Sequence, residues 1–144
     1  MKALRKLLDL PGADSGLLLE AALILGVARL AIVILPFRHI APWLGVRQSA
    51  TPTAPLPEAH ARLVKRIGWA IHTAANHLPW QAVCLPQAIV AKLMLRRRGF
   101  ASTLYLGASH DGAGFKAHAW IRAGDVIVTG YQDMQRYTVV SSFA

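Results

Sequence analysis

The chain has 144 residues and a single cysteine, Cys84. This length is enough for one hydrophobic core and hardly for two, and one cysteine excludes both an intramolecular disulfide and a cysteine-rich zinc site, as is compatible with a reducing cytosol. Sixteen Lys and Arg residues against seven Asp and Glu give a formal net charge of +9, which attracts polyanions and acidic peptides alike. The histidines lack HExxH or comparable ligand spacing, so we expect neither a catalytic metal nor a cofactor.

The N-terminal region has the composition of a targeting signal. Basic residues occur within the first six positions, and residues 17–35 are almost continuously apolar, as in a signal peptide or a membrane span. Glu20 and Arg29 interrupt this run, however, and an Arg near a bilayer centre costs about 2.5–3.5 kcal/mol. We therefore predict a helix from about Gly16 to Leu35, buried on most faces against the rest of the protein or a partner, and we leave peripheral membrane contact open.

A segment rich in Pro, Ser and Thr follows, from Arg47 to Pro57. Its composition is typical of a linker. After it, residues 58–76 carry apolar side chains at helical spacing. The sequence therefore predicts an N-terminal helical arm over residues 1–45, a linker over 46–57 and a core domain over 58–144.

The only cysteine begins another helical pattern. Apolar residues recur at helical spacing from Leu85 to Leu95, and Pro86 is tolerated only in a first turn, so the helix is predicted to start at Cys84 or Leu85. A thiol acts as a nucleophile in its thiolate form, which a helix N-terminus and an imidazole both favour. Without such context, a single cysteine is more often an inert buried side chain.

Beyond Gly99, a predicted helix C-cap, the periodicity changes from helical to alternating. Strands are predicted at 103–106, 115–122 and 126–129, with an edge strand between 136 and 143. Alternation in the second of these strands places His118 and Trp120 on one face and Ala119 on the other. A cysteine at a helix start followed by a histidine on a strand is the order expected of a thiol nucleophile and its base.

Four short motifs in this region occur in a recognisable order, at residues 84–88, 95–100, 104–107 and 117–120. Together they resemble the leader peptidases of lasso-peptide biosynthesis, also known as the C-terminal B-protein domain, within the transglutaminase-like cysteine protease superfamily. The resemblance runs from about Trp80 to about Gly130.

The resemblance implies an α+β fold of the papain/transglutaminase type, in which a catalytic helix packs on a small antiparallel sheet. It implies a bacterial, cytoplasmic cysteine protease, with Cys84 as nucleophile and His118 as base, that removes the leader from a ribosomally synthesised lasso-peptide precursor. A separate small leader-recognition protein would deliver the precursor, and a macrolactam synthetase would act next. Nucleic acid is not an expected partner.

The oxyanion formed in this reaction needs hydrogen-bond donors. The Cys84 backbone N–H at the helix start is one, and Trp80 and Gln81 are the candidates for a second, upstream donor. Trp120 is a further candidate for contact with the substrate.

The residue that orients the imidazole departs from the family pattern. The family commonly has an Asp about a dozen residues after the His, and that position is Gly130 here. We expect Thr129 to lie across from His118, and Asp125, at the turn, to be too far away for a hydrogen bond, since a strand advances about 3.3 Å per residue. Asp133 is the preferred third residue, and a Cys–His dyad oriented by a backbone carbonyl or water is the alternative.

Other functions stay open on the residues alone. A transglutaminase-type acyl transferase would use the same Cys–His chemistry with an amine in place of water, and a non-catalytic scaffold would not need the missing Asp. The run from Arg96 to Arg98 raises a nucleic-acid-binding hypothesis, but basic residues at a helix C-terminus complement its dipole, and no recognition-helix, RRM or OB signature is present. His72 and His77 are interpreted as surface residues or dipole complements rather than catalysts.

Overall fold

The computed structural model describes residues 12–78, 84–112, 114–132 and 134–144. These residues form an α+β fold that combines helices with a four-stranded antiparallel sheet. The helices are α1 (Gly12–Ile34), α2 (Phe37–Ile40), α3 (Glu58–His77) and α4 (Cys84–Arg97), and the strands are β1 (Thr103–Asp111), β2 (Gly114–Ala123), β3 (Val126–Thr129) and β4 (Thr138–Phe143). Single 3-10 turns occur at Ala41–Leu44 and Met134–Arg136. The cysteine-bearing helix α4 packs on this sheet, so the predicted fold class is confirmed.

The strands lie in the order β3-β2-β1-β4. In the β1–β2 hairpin, His118 is directly opposite Gly107. Between β2 and β3 the register shifts, so that Arg122 pairs with Ile127 but Ile121 pairs with Thr129. The prediction that Thr129 lies across from His118 is therefore wrong. The hairpin turns at Gly124 and Asp125, so that Ala123 already pairs with Val126, and β3 contains one extra residue at the irregularity.

The hydrophobic core lies between the sheet and helices α1, α3 and α4. Alternate residues of β2, including Ala119 and Ile121, are fully or almost fully buried in it. Helix α3 comes so close to β3 that a Cβ on Gly68 would lie 2.5 Å from the Val128 carbonyl oxygen. The absence of a side chain at Gly68 therefore sets the distance between α3 and the edge of the sheet.

Helix α1 buries one face and exposes the other. Its buried residues are Leu17, Leu18, Ala21, Leu25 and Ala28, and they belong to the same core as α3 and α4. The rest of the chain thus buries a smaller part of the α1 surface than was predicted, since burial on most faces was expected. In the described part of the chain, α1 is the one helix that is long and apolar enough to cross a membrane. Core helices and signal sequences share these properties. Of the most apolar 18-residue stretch of α1, 28% is buried inside the protein.

Two groups of ion pairs fix α1 to the other helices. Arg66 of α3 donates hydrogen bonds to the Asp14 carboxylate, from Nε at 2.9 Å and also from its Nη2. Glu20 accepts hydrogen bonds from Arg97 at 2.8 Å and from Arg98 at 2.7 and 3.0 Å. Two of the three arginines behind the nucleic-acid hypothesis are therefore engaged with a carboxylate.

The segment predicted as a linker is irregular but attached to the sheet. Val46 and Ala144 exchange backbone hydrogen bonds of 2.8 and 3.1 Å, and the Thr51 N–H donates to the Thr103 hydroxyl at 2.8 Å. The buried Arg122 guanidinium donates to the carbonyl oxygens of Thr51 at 2.6 Å and Pro52 at 3.1 Å. The division into arm, linker and core remains a prediction, but these contacts hold the middle segment against the core.

Candidate active site

Cys84 is the first residue of α4 as the structure describes this helix, and Pro86 lies in its first turn. The helix is held in place by a continuous set of buried residues from Ala88 to Lys92. The Cys84 side chain is half-buried, and its thiol is free. The sulfur thus has a fixed position at the end of a buried helix, with partial access to solvent.

A cavity of about 350 Å³ lies beside Cys84. Its lining comes from α3, α4, β2, β3 and the chain that follows β3: Gly68, His72, Cys84, Gln87, His118, Val128, Thr129, Gly130, Tyr131 and Gln132. The fold thus brings the cysteine and the histidine, which are 34 positions apart in the sequence, to one pocket.

The backbone carbonyl of Gly130 binds the imidazole of His118. Nε2 of His118 lies 2.8 Å from this carbonyl oxygen. A carbonyl oxygen only accepts hydrogen bonds, so we assign the proton of the neutral ring to Nε2, which leaves Nδ1 with a free lone pair. The tautomer fixed in this way is the one in which Nδ1 is available as a base.

Gly130 occupies a position that only glycine fits. Its φ angle is +77°, and an added Cβ would lie 2.4 Å from the Ala119 carbonyl oxygen and 2.7 Å from the Trp120 Cβ. The left-handed conformation and the close approach to β2 both exclude a side chain. Because the chain passes so close to β2, its carbonyl reaches the imidazole, at the position where the resemblance predicted an Asp side chain.

Aromatic rings surround His118. The Tyr137 ring lies 5.0 Å from the imidazole, the Trp120 ring lies 5.8 Å from it, and Trp120 in turn stacks on Tyr105 at 5.6 Å. The Trp120 ring also covers Gly107, where a Cβ would come within 2.7 Å of it. These contacts, together with the Gly130 carbonyl, restrict the rotation of the imidazole.

The family comparison agrees with this arrangement. A family model described as the transglutaminase-like superfamily matches residues 22–142, which include α4, the sheet except for Phe143, and the C-terminal part of α1. The chain belongs to the transglutaminase-like superfamily. This superfamily generally includes cysteine peptidases and acyl transferases. A search of the curated proteins and a search of the solved structures each found no significant match.

In this transglutaminase-like protein, Trp120 packs against His118 and lies outside the cavity. It is 6% exposed, and it is not among the described residues that line the cavity. The position of Trp120 therefore does not support the predicted contact with the substrate. Trp120 contacts His118 instead, and would act on the reaction only through this imidazole. Asp125 is exposed in the turn between β2 and β3 and is likewise not part of the described lining.

Three predicted site residues, Trp80, Gln81 and Asp133, lie outside the described residues. The upstream oxyanion donor and a carboxylate near the imidazole therefore remain predictions. The second ring nitrogen of His118, which Asp133 was expected to bind, already has the Gly130 carbonyl oxygen as a partner.

The structure adds residues to the site that the sequence analysis missed. Gln87 lies three positions after Cys84, and helical spacing alone would have placed it near the thiol. His72, interpreted from the sequence as a surface or dipole-complementing residue, is exposed and also lines the cavity, as does Gly68 one turn earlier on α3. No local pattern indicates that α3 forms a wall of this pocket, because the contact between α3 and β3 is a property of the tertiary packing.

Proposed function

We propose that this transglutaminase-like protein is a cysteine peptidase that removes the leader from a ribosomally synthesised lasso-peptide precursor. The chemistry rests on one observation: Cys84 and His118 line the same cavity, with His118 Nε2 2.8 Å from the Gly130 carbonyl oxygen. The substrate rests on the resemblance of the motifs at 84–88 and 117–120 to the lasso leader peptidases.

In the first step, Nδ1 of His118 takes the proton from the Cys84 thiol, and the thiolate attacks the carbonyl carbon of the leader–core bond. The negative charge that develops on the substrate oxygen is stabilised by the backbone N–H of Cys84 at the start of α4. A second donor upstream, from Trp80 or Gln81, completes this part of the proposal.

In the second step, the imidazolium returns its proton to the departing nitrogen. The bond between the carbonyl carbon and this nitrogen breaks, the core peptide leaves with a free amine, and the leader remains on Cys84 as a thioester. His118 then deprotonates a water molecule that attacks the thioester, which releases the leader as a carboxylic acid and restores the thiol.

The shape and charge of the protein fit a peptide substrate. A cavity of about 350 Å³ accommodates a few side chains, so the leader–core junction binds as an extended segment. In the proposed pathway a separate small leader-recognition protein presents this segment in the cytoplasm, and a macrolactam synthetase closes the released core. The net charge of +9 favours an acidic partner or peptide.

The proposed function is tested by incubating the purified chain with a lasso precursor and its leader-recognition protein, followed by mass spectrometry. We expect cleavage at one bond, giving two fragments whose masses sum to the precursor plus one water, and strong dependence on the recognition protein. With added hydroxylamine, part of the leader should appear as the hydroxamate, as expected of a thioester intermediate. An intact precursor would contradict peptidase function, and amide-linked products without free leader acid would indicate the acyl transferase instead.

A further inference from the structure

The outward face of α1 carries an apolar stripe that no described part of the chain covers. The stripe consists of residues spaced by three or four positions, each between 59 and 66% exposed: Leu19, Leu23, Val27, Leu30 and Ile34. Residues at this spacing lie along one side of a helix. At about 1.5 Å per residue, the stripe extends over about 22 Å from Leu19 to Ile34. A contiguous exposed apolar surface of this kind marks an interaction site.

The apolar surface continues beyond α1. Trp43 and Val46 are 70 and 69% exposed, and an apolar cavity of about 270 Å³ lies between α1, the turns that follow it and α4. Its lining includes Val27 of the apolar stripe and Trp43. An exposed Trp beside an aliphatic helix face is typical of proteins that bind at a membrane–water interface, where the indole lies at the level of the headgroups.

Between Ala21 and Pro57, the charged residues are all of one sign, and the two carboxylates nearer the start of α1, Asp14 and Glu20, are paired with arginines. Residues 21–57 contain no Asp or Glu, whereas Arg29, Arg38 and Arg47 occur at regular intervals and are exposed. A second copy of the chain is a poor fit, because two-fold pairing would bring these arginines towards each other. An anionic surface is the complementary partner.

The packing of α1 favours lying on a bilayer over crossing it. The face opposite to the apolar stripe is buried in the core, and Asp14 and Glu20 are paired with Arg66, Arg97 and Arg98. Insertion across a bilayer would strip this face from the core and break these ion pairs. Attachment in the plane of the membrane preserves them and needs no rearrangement.

We propose that α1 and Trp43 attach this protein to the surface of a bilayer that contains anionic phospholipids. The apolar stripe and Trp43 enter the interface, with α1 parallel to the membrane plane, and Arg38 and Arg47 contact lipid phosphates. The active-site cavity does not contribute to this surface, so the proposal does not depend on the proposed peptidase function.

The test is co-sedimentation of the full-length chain with vesicles of phosphatidylglycerol and phosphatidylcholine in about equal amounts, and with vesicles of phosphatidylcholine alone. We expect binding to the anionic vesicles that falls at least about fivefold between ~0.05 and ~0.5 M salt, and little binding to the neutral ones. The variant Leu23→Gln/Leu30→Gln should reduce binding to background, and Arg38→Gln/Arg47→Gln should reduce it several-fold. The matched control is Val139→Gln/Val140→Gln on β4, where both residues are 48 to 57% exposed and binding should be unchanged.

Several outcomes would overturn the proposal. The first is no binding to anionic vesicles, and the second is equal binding to both vesicle types at all salt concentrations. The third is loss of binding in the β4 control to the same extent. A Leu23→Gln/Leu30→Gln variant that keeps vesicle binding but no longer binds the leader-recognition protein, or that changes from dimer to monomer, would assign the apolar stripe to a protein partner instead.

Discussion

At the scale of single residues, the candidate site depends on a backbone group, the Gly130 carbonyl, at the position where the resemblance predicted an Asp side chain. The sequence was sufficient to predict Cys84 and His118 as a pair, because the helix start and the alternating strand are local patterns. It was not sufficient to predict that the Gly130 carbonyl binds His118. The spacing of side chains in the sequence does not indicate in which direction a backbone carbonyl points after an irregular strand. The close approach of Gly130 to β2 brings this carbonyl within 2.8 Å of His118 Nε2.

The first prediction concerns the carboxylates near the site. Because the Gly130 carbonyl already binds His118 Nε2, Asp133→Asn and Asp125→Asn should each lower kcat/KM for precursor cleavage by less than about tenfold, whereas loss of the orienting Asp of a triad costs about 10⁴. A loss of a thousandfold or more in Asp133→Asn would show that this carboxylate, and not the carbonyl, orients the imidazole.

The second prediction compares two glycines with the same backbone conformation. Gly130 and Gly99 have φ angles of +77° and +76°, but an added Cβ meets β2 atoms at Gly130 and open space at Gly99. Gly99→Ala should cost about 1 kcal/mol of stability and leave cleavage intact. Gly130→Ala should cost several-fold more, about 3 kcal/mol or above, and should abolish cleavage. Urea unfolding and cleavage rates measure both, and equal effects of the two substitutions would contradict the proposed close packing of Gly130.

At the scale of elements, the position of α4 relative to the sheet involves a buried cation. The Lys92 side chain is 4% exposed, and its Nζ donates to the carbonyl oxygens of Ser102 at 2.6 Å and Phe143 at 3.3 Å. Burial, with a smaller contribution from nearby Arg96, lowers the pKa of Lys92 to about 8. Helical periodicity correctly predicted α4, but it did not indicate that the charged end of Lys92 is buried. Full burial follows from the contact with two strand ends, which no local pattern indicates.

The third prediction follows from this lowered pKa. Between pH 8 and 10.5 the unfolded chain holds a proton on Lys92 that the folded protein releases, so the free energy of unfolding should rise with pH across this window. The rise due to Lys92 should be at most about 3 kcal/mol. The Lys92→Met variant should lack this rise. In urea titrations, the free energy of unfolding of the wild type minus that of the variant should therefore increase by the same amount between pH 7.5 and 10.5. Parallel pH profiles of the two proteins would contradict the buried charge.

At the scale of the whole molecule, long-range polar contacts join α1 and the segment 46–57 to the core. Composition correctly indicated that the Pro-rich segment is irregular. It did not indicate that Arg122 binds its carbonyl oxygens, or that Glu20 pairs with the end of α4, since these contacts connect residues about 70 or more positions apart. Glu20, which appeared in the sequence as an interruption of an apolar run, is a point of attachment.

The fourth prediction tests this attachment. The hydrogen bond from Arg98 lowers the pKa of the Glu20 carboxyl below its ordinary value. The contribution of Glu20 to the free energy of unfolding is therefore fully present above the ordinary pKa, and it is lost as the pH falls through the lower pKa of the folded protein. Glu20→Gln should therefore lower the free energy of unfolding by about 1–3 kcal/mol at pH 7 and by less under acidic conditions.

The control for this substitution is Glu58→Gln. Glu58 is paired with Arg62 at 3.8 Å on the exposed surface of α3, and such pairs contribute about 0.5 kcal/mol or less. A Glu20→Gln protein as stable as Glu58→Gln at pH 7 would show that the Glu20 pairs do not hold α1 to α4.

The central claim is that Cys84 and His118 form the reacting pair. Its most direct test is the rate of leader release, followed by mass spectrometry of the precursor in the presence of its recognition protein. Cys84→Ala should abolish release and His118→Ala should reduce it at least about a thousandfold, with thermal unfolding close to that of wild type. His77→Ala is the control, since this exposed imidazole bonds to the Thr73 carbonyl at 2.7 Å and should not affect the rate. Undiminished release by Cys84→Ala would contradict the claim.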